Sequence, residues 1–291
     1  MKNKTVVLTV KDHSVSGEEF QLIENSECGF LETTPQPSKE KLPEYYESED
    51  YISHTDARRN VFEKVYHIVR SISLKKKLGL INTYLLREPQ HKNSEERKLL
   101  DIGCGTGDFL QTALENNWLV IGIEPNEQAR EIANKKTNNS VFETNQLLKF
   151  ETSSFDVITL WHVLEHLPNL DHQIAIFKTL LKPNGTLIIA VPNYKSYDAT
   201  HYKQFWAAYD VPRHLWHFNR DSISRLVSKF DFNVVKTKPM WFDAFYVSLL
   251  SEKYKNGKMN PIKGFWIGLL SNIKALRTKE ASSLIYIIKN S

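Results

Sequence analysis

Short apolar runs alternate along most of this chain with segments whose apolar residues recur every three or four positions, which predicts strands and helices in turn. The plainest case begins at Lys98. Leu99, Leu100 and Ile102 form an apolar run carrying one acid, Asp101, and the run breaks at three alternate glycines, Gly103, Gly105 and Gly107. Helical spacing takes over across 109–117. Residues 120–124 repeat the strand pattern and end in an acid, Glu124, ahead of a helical segment at 127–137 and a short strand at 141–142. A continuous apolar strand at 155–160 runs into Trp161-His-Val-Leu-Glu-His166. A helix at 171–180 is stopped by Pro183-Asn-Gly185 before a strand that ends at Val191. A helix at 221–230, capped by Asn219 or Asp221, and strands at 232–236 and 284–288 complete the series. Alternation of this kind predicts an α/β fold with a mostly parallel sheet.

Four stretches depart from that plan. Residues 1–57 read as a small appendage: 5–10 and 19–23 suit a hairpin turning at Ser16-Gly17, and 33–43, rich in Pro, Ser and Thr, is irregular. Residues 58–96 hold a helix with Val61, Val65, Ile68, Ile72 and Leu78 at helical spacing, then a polar linker. Arg58, Arg59, Lys64, Arg70 and Lys75-Lys76-Lys77 make that helix basic, which suits a solvated face or, as the alternative, an acidic lipid surface or an anionic substrate. The core spans 97–291 and carries two insertions: 194–218, packed with Tyr, Trp and His, and 240–281, apolar and aromatic. Insertions at the carboxyl edge of strands are where open α/β sheets build substrate sites.

Composition narrows the class only a little. A chain of 291 residues is long for one domain, so a single core with additions is expected. A net charge of +4 is too small and too dispersed for a dedicated nucleic-acid binder. The two cysteines, Cys28 and Cys104, cannot make a disulfide framework, so a reducing compartment fits. The apolar run at 6–10 is too short for a signal core, and no window approaches the roughly 18 apolar residues of a membrane span. A cytoplasmic protein is the expectation.

The glycine loop carries the chemistry. Glycine lets backbone N–H groups approach a ligand closely because no Cβ intervenes, and the helix that follows aims unpaired N–H groups at the same place. A nucleotide-type cofactor is therefore expected. The dinucleotide fingerprint G-x-G-x-x-G would need a third glycine where Asp108 stands, and a P-loop would need Gly-Lys-Ser/Thr, which is absent. Glu124 closes the next strand about 20 residues after the first glycine, the position that holds ribose hydroxyls in such sheets.

The pattern D-x-G-x-G-x-G, with Glu124, the strand entering Trp161–His166 and the Pro183-Asn-Gly turn in order, resembles the class I S-adenosylmethionine-dependent methyltransferases. The His-Val-Leu-Glu-His run looks like ubiquinone-type and sugar-type members. The resemblance implies a Rossmann-like seven-stranded sheet whose last strand is antiparallel. It implies S-adenosylmethionine as cofactor, S-adenosylhomocysteine as product and a small-molecule acceptor. It also implies site roles. Asp101 and the loop Gly103, Cys104, Gly105, Gly107 would face the methionine part, Glu124 the ribose, and Pro125 and Asn145 the adenine. Trp161 and His162 would lie near the reactive end.

Candidate bases are His166, His214 and Tyr209, the last two in a Tyr209-Asp-Val-Pro-Arg-His-Leu-Trp-His-Phe218 run where Arg213 could also pair an anionic substrate. For both histidines, ordinary structural hydrogen bonding is the competing expectation. The appendage resembles the N-terminal zinc ribbon of some bacterial methyltransferases, but Asn25 stands where a partner for Cys28 would be, so no metal is expected. Tyr45, Tyr46, Tyr51, Ser53 and His54 would form either an aromatic plug over the core or a lid over the cofactor. Two other functions compete: an NAD-dependent oxidoreductase on a related sheet, and a cofactor-binding scaffold without turnover.

Overall fold

Strands that are apolar on both faces belong in the middle of a sheet covered from both sides. In the computed structural model, which describes residues 5–38, 40–46, 61–85 and 96–291, the apolar runs identified above take those places. The chain begins with β1 (Val6–Lys11), β2 (Glu19–Glu24) and β3 (Leu31–Thr34). After α1 (Val61–Leu85) come β4 (Arg97–Ile102), α2 (Asp108–Leu114), β5 (Trp118–Ile123), α3 (Glu127–Lys136), β6 (Val141–Phe142), β7 (Phe155–Trp161), α4 (Leu170–Leu180) and β8 (Leu181–Pro192). The remainder holds α5 (Tyr197–Tyr202), β9 (Trp216–His217), α6 (Arg220–Ser228), β10 (Phe232–Pro239), α7 (Asp243–Asn256), α8 (Pro261–Thr278) and β11 (Ser283–Asn290).

Seven strands form one sheet in the order β10-β11-β8-β7-β4-β5-β6. The strands β4 to β8 are mutually parallel, and β11 runs antiparallel to both β8 and β10. Side-chain parity separates two apolar layers, as the period of two requires. Leu100, Ile102, Ile158, Leu160, Leu187, Ile189 and Val191 face one layer, while Leu99, Val157 and Ile188 face the other. The first helix after the glycines is shorter than its sequence pattern, because the chain has left the helix at Asn117, whose φ is +63°. Asn219 caps α6 through a reciprocal capping box with Ser222.

The appendage and the first insertion form one structure. β1, β2 and β3 make an antiparallel sheet that β9 extends, pairing Leu31 with His217 and Glu32 with Trp216. Arg213 locks the two together. Its guanidinium donates to Asp12, to Asp210 and to the Tyr45 carbonyl at 2.7–3.0 Å, and it is 5% exposed. The proposed anion-binding role of Arg213 is therefore corrected: its fork is already spent inside the protein. Asn25 closes its own turn by accepting from the Glu27 and Cys28 amides. Cys28 is buried, and His13 stacks on Tyr254 at 4.8 Å.

The second insertion folds as a helical hairpin, α7 and α8, inserted between β10 and β11. The basic helix α1 is not simply a solvated face either. Arg70 pairs with Asp108, and Lys77 turns inward to lie 4.4 Å from the centre of the Trp161 ring. Of the lid segment, Tyr45 and Tyr46 are described, whereas Tyr51, Ser53 and His54 lie outside the described residues.

Candidate active site

The parallel strands deliver their carboxyl ends to one edge of the sheet, the edge at which open α/β sheets bind ligands. The segments gathered there are the glycine loop after β4, Glu124 after β5, Asn145 after β6, Trp161–His166 after β7 and Met240–Asp243 after β10.

All three loop glycines have positive φ, +65° at Gly103, +55° at Gly105 and +77° at Gly107. They serve different purposes. A Cβ on Gly103 would strike Val163 at 2.6 Å and one on Gly107 would strike Ala133 at 2.8 Å, so these two permit close packing. A Cβ on Gly105 would meet nothing within 4 Å, so Gly105 presents bare backbone to open space. Beside it, Glu124 accepts from the Gly105 amide at 2.8 Å and from the Asn126 amide at 2.9 Å, and is 8% exposed. Asp101 lies beneath the loop, accepting from the Thr159 hydroxyl at 2.5 Å. Burial pushes its carboxyl up to about 7, against the opposing pull of the Thr159 bond and the Lys77 charge. A cationic amine placed there would restore its charge. Cys104 is no nucleophile, because burial and the nearby Asp101 and Glu124 charges push its thiol up. Pro125 and Asn145 are exposed at the neighbouring rim.

Trp161 ends β7 with its ring edge-on to Phe109 at 5.6 Å, and its indole N–H is buried without a partner among the described residues. An orphaned buried donor at this edge is a group a ligand could satisfy. His162 follows in a left-handed conformation, φ +58°, which turns its ring between two acids. Its Nε2 lies 3.0 Å from Asp243 and its Nδ1 3.4 Å from Glu165. Burial alone would lower its pKa, but the bonds and charges of Asp243 and Glu165 outweigh it and raise it to about 10, so His162 is an imidazolium.

The structure brings two of the three candidate bases together. The His166 and His214 rings meet edge-on at 4.6 Å, and ligand-type atoms of Glu165, His166 and His214 lie within 4.8 Å of one another. His166 Nδ1 faces the Arg213 carbonyl at 3.0 Å and the Tyr46 hydroxyl at 3.2 Å. A carbonyl only accepts, so Nδ1 carries the proton and Nε2 keeps a free lone pair. The Ala208 carbonyl does the same for His214, 2.9 Å from its Nδ1. Burial first, and then the neighbouring His214, hold His166 down at about 4, so it is neutral at ordinary pH.

Tyr209 stands apart. It packs edge-on against Trp206 and His217 in the apolar cluster under the N-terminal sheet, where burial pushes its phenol up. A phenol so placed is a poor base.

Two further residues take part that local pattern did not single out. Lys77 sits over Trp161, and Asp243 holds His162. Both line a cavity of about 470 Å³ with Lys76, Lys238, Trp241 and Phe242. Lys77 is hidden in the sequence by an ordinary basic run, and Asp243 by an apolar insertion.

Residues 74–237 match the family described as a methyltransferase domain. The chain belongs to that family. The ubiquinone biosynthesis O-methyltransferase of Pasteurella multocida is 33% identical to this methyltransferase-family chain over 113 residues, covering 33% of this chain and 47% of the relative. That of Coxiella burnetii is 28% identical over 131 residues, covering 42% and 56%. The chain thus spans about half the length of the curated relatives it matches. Magnesium protoporphyrin IX methyltransferase from Synechocystis PCC 6803, solved with bound SAH, superposes over 87% of this chain and 100% of its own, with a TM-score of 0.54 and 15% identity. At that identity the likeness concerns the fold.

Proposed function

We propose that this methyltransferase-family chain moves the methyl group of S-adenosylmethionine to a small-molecule acceptor. The observation that carries the reading is the open backbone face of Gly105, its amide held by Glu124, at the same sheet edge as the unpartnered Trp161 indole. Asp101 would take the methionine amine, Glu124 the ribose hydroxyls, and the rim at Pro125 and Asn145 the adenine. When bound, the cofactor supplies an electrophilic methyl on a cationic sulfur. The chain's part is to align that methyl with the acceptor and to exclude water. The acidic Asp108 argues against the NAD-dependent alternative, since the dinucleotide fingerprint places a glycine there for close packing of helix on strand.

The acceptor we infer has a flat apolar body and an anionic group, matching a cavity walled by Trp241 and Phe242 and bearing Lys76, Lys77 and Lys238. The names of the curated relatives favour oxygen as the methylated atom. His166 and His214 stand outside the lining of that cavity, so His166 Nε2 would take the proton that such a hydroxyl releases from an acceptor long enough to reach it. Calorimetric titration should show S-adenosylhomocysteine binding and NAD ignored. Uptake of NAD in its place would overturn the reading.

The base can be tested separately. His166→Gln should lower turnover roughly 10²–10⁴-fold, the usual worth of a positioned proton acceptor, with S-adenosylhomocysteine affinity within about twofold of the parent. A pH signature accompanies it. The folded-state value near 4 lies below the unfolded 6.5, so His166 contributes stability above 6.5 that is lost as pH falls through about 4. Urea melts between pH 7 and 4 should be flatter for His166→Gln than for the parent protein; parallel curves would remove the assigned shift.

A further inference from the structure

The helix α8 is built inside out for a helix on a protein surface. Its inward positions are Gly264, Ile267, Gly268, Ser271 and Ala275, mostly small. Its large apolar residues Ile262, Phe265, Trp266, Ile273 and Leu276 are 52–74% exposed, and Leu270 is 39% exposed. At about 100° per residue those six occupy one arc of roughly 140°, opposite the small residues. The orientation is not loose. A Cβ on Gly264 or Gly268 would strike the α7 backbone at 2.8–2.9 Å, the Ser271 hydroxyl donates to buried Asp198 at 2.6 Å, and Lys263 pairs with buried Glu252 at 3.0 Å. The small face is locked against α7, so the apolar face cannot rotate inward.

Charge decides what covers it. From Lys253 to Lys279 the chain carries seven Lys or Arg residues and no Asp or Glu. A second copy docked through this face would set those cations against the same cations, because a two-fold interface repeats one patch. We propose that α8 lies in the surface of an anionic lipid bilayer, with Trp266, Phe265 and Ile273 among the acyl chains and the surrounding lysines on the headgroups. An aromatic and aliphatic face rimmed by cations on a helix parallel to the surface is the pattern for such binding. No described helix is long and apolar enough to cross a membrane, so the contact is peripheral. The same helix holds the cavity wall, since Asn272 donates to the Trp241 carbonyl at 2.8 Å.

The test is flotation of the full chain with vesicles of phosphatidylcholine, with and without phosphatidylglycerol. The protein should float with the anionic vesicles at least about tenfold more than with phosphatidylcholine alone, and salt should weaken the binding. The double variant Trp266→Glu/Ile273→Glu should stay in solution, with S-adenosylhomocysteine affinity and melting temperature unchanged. Those controls keep this result separate from the cofactor reading, which vesicle binding does not require. Absence of flotation, equal flotation of the double variant, or a dimer that the double variant abolishes would each overturn the proposal.

Discussion

Glu124→Ala weakens S-adenosylhomocysteine binding by roughly two to three orders of magnitude in a calorimetric titration. Each charge-assisted hydrogen bond to a buried carboxylate is worth about 1.5–3 kcal/mol, and two ribose hydroxyls together reach about 3–4 kcal/mol. The loop suffers as well. Glu124 accepts from the Gly105 and Asn126 amides, so its removal frees the backbone that should face the cofactor. Glu124→Gln keeps one acceptor oxygen and should lose only about tenfold. A change under about threefold for the alanine variant would remove Glu124 from the cofactor site.

Arg213→Met costs about 3–5 kcal/mol of folding stability at neutral pH, the penalty for breaking a buried ion cluster on one side. Methionine preserves much of the side-chain volume, so the loss reports the charge. Asp12 is desolvated, which raises its carboxyl, yet the bonds from the Ser16 amide and Arg213 outweigh that and hold it low. Asp210 is likewise held low by its basic neighbours His214 and Arg213 against burial. Carboxyls with depressed folded values contribute stability above the usual carboxylate range and lose it as pH falls through their folded values. The penalty should therefore shrink in acid. Urea unfolding at pH 7 and near pH 3.5 measures both; a loss below about 1 kcal/mol at pH 7 would show that Arg213 does not join appendage and insertion.

The site was legible in proportion to how local its signals are. The glycine loop, Glu124 and Trp161–His166 each stand at the end of an apolar run, and a strand of known polarity delivers its last residue to a known edge. His166 and His214 are 48 positions apart in the numbering, and their ring contact depends on the path of the whole insertion back to the sheet. Arg213 illustrates the opposite failure. Its type and neighbours suit an anion site, but it is consumed by Asp210 three residues back and by Asp12, which lies 201 residues away. Lys77 is one of three consecutive lysines and Asp243 sits in an apolar insertion, so local pattern does not set either apart as a site residue.

By itself the sequence determined the α/β alternation and the edge at which its strands end, while the resemblance to the methyltransferases implied the seven-stranded sheet. Periods of two and 3.6, and glycines that permit positive φ, are properties of neighbouring residues. Tertiary structure alone decided the rest: the joining of β3 to β9, the engagement of Arg213, the bracketing of His162 by Glu165 and Asp243, and the outward apolar face of α8. Most of these depend on segments far apart in the chain, such as Asp12 with Arg213 and His162 with Asp243, set by packing and charge pairing that no local period encodes.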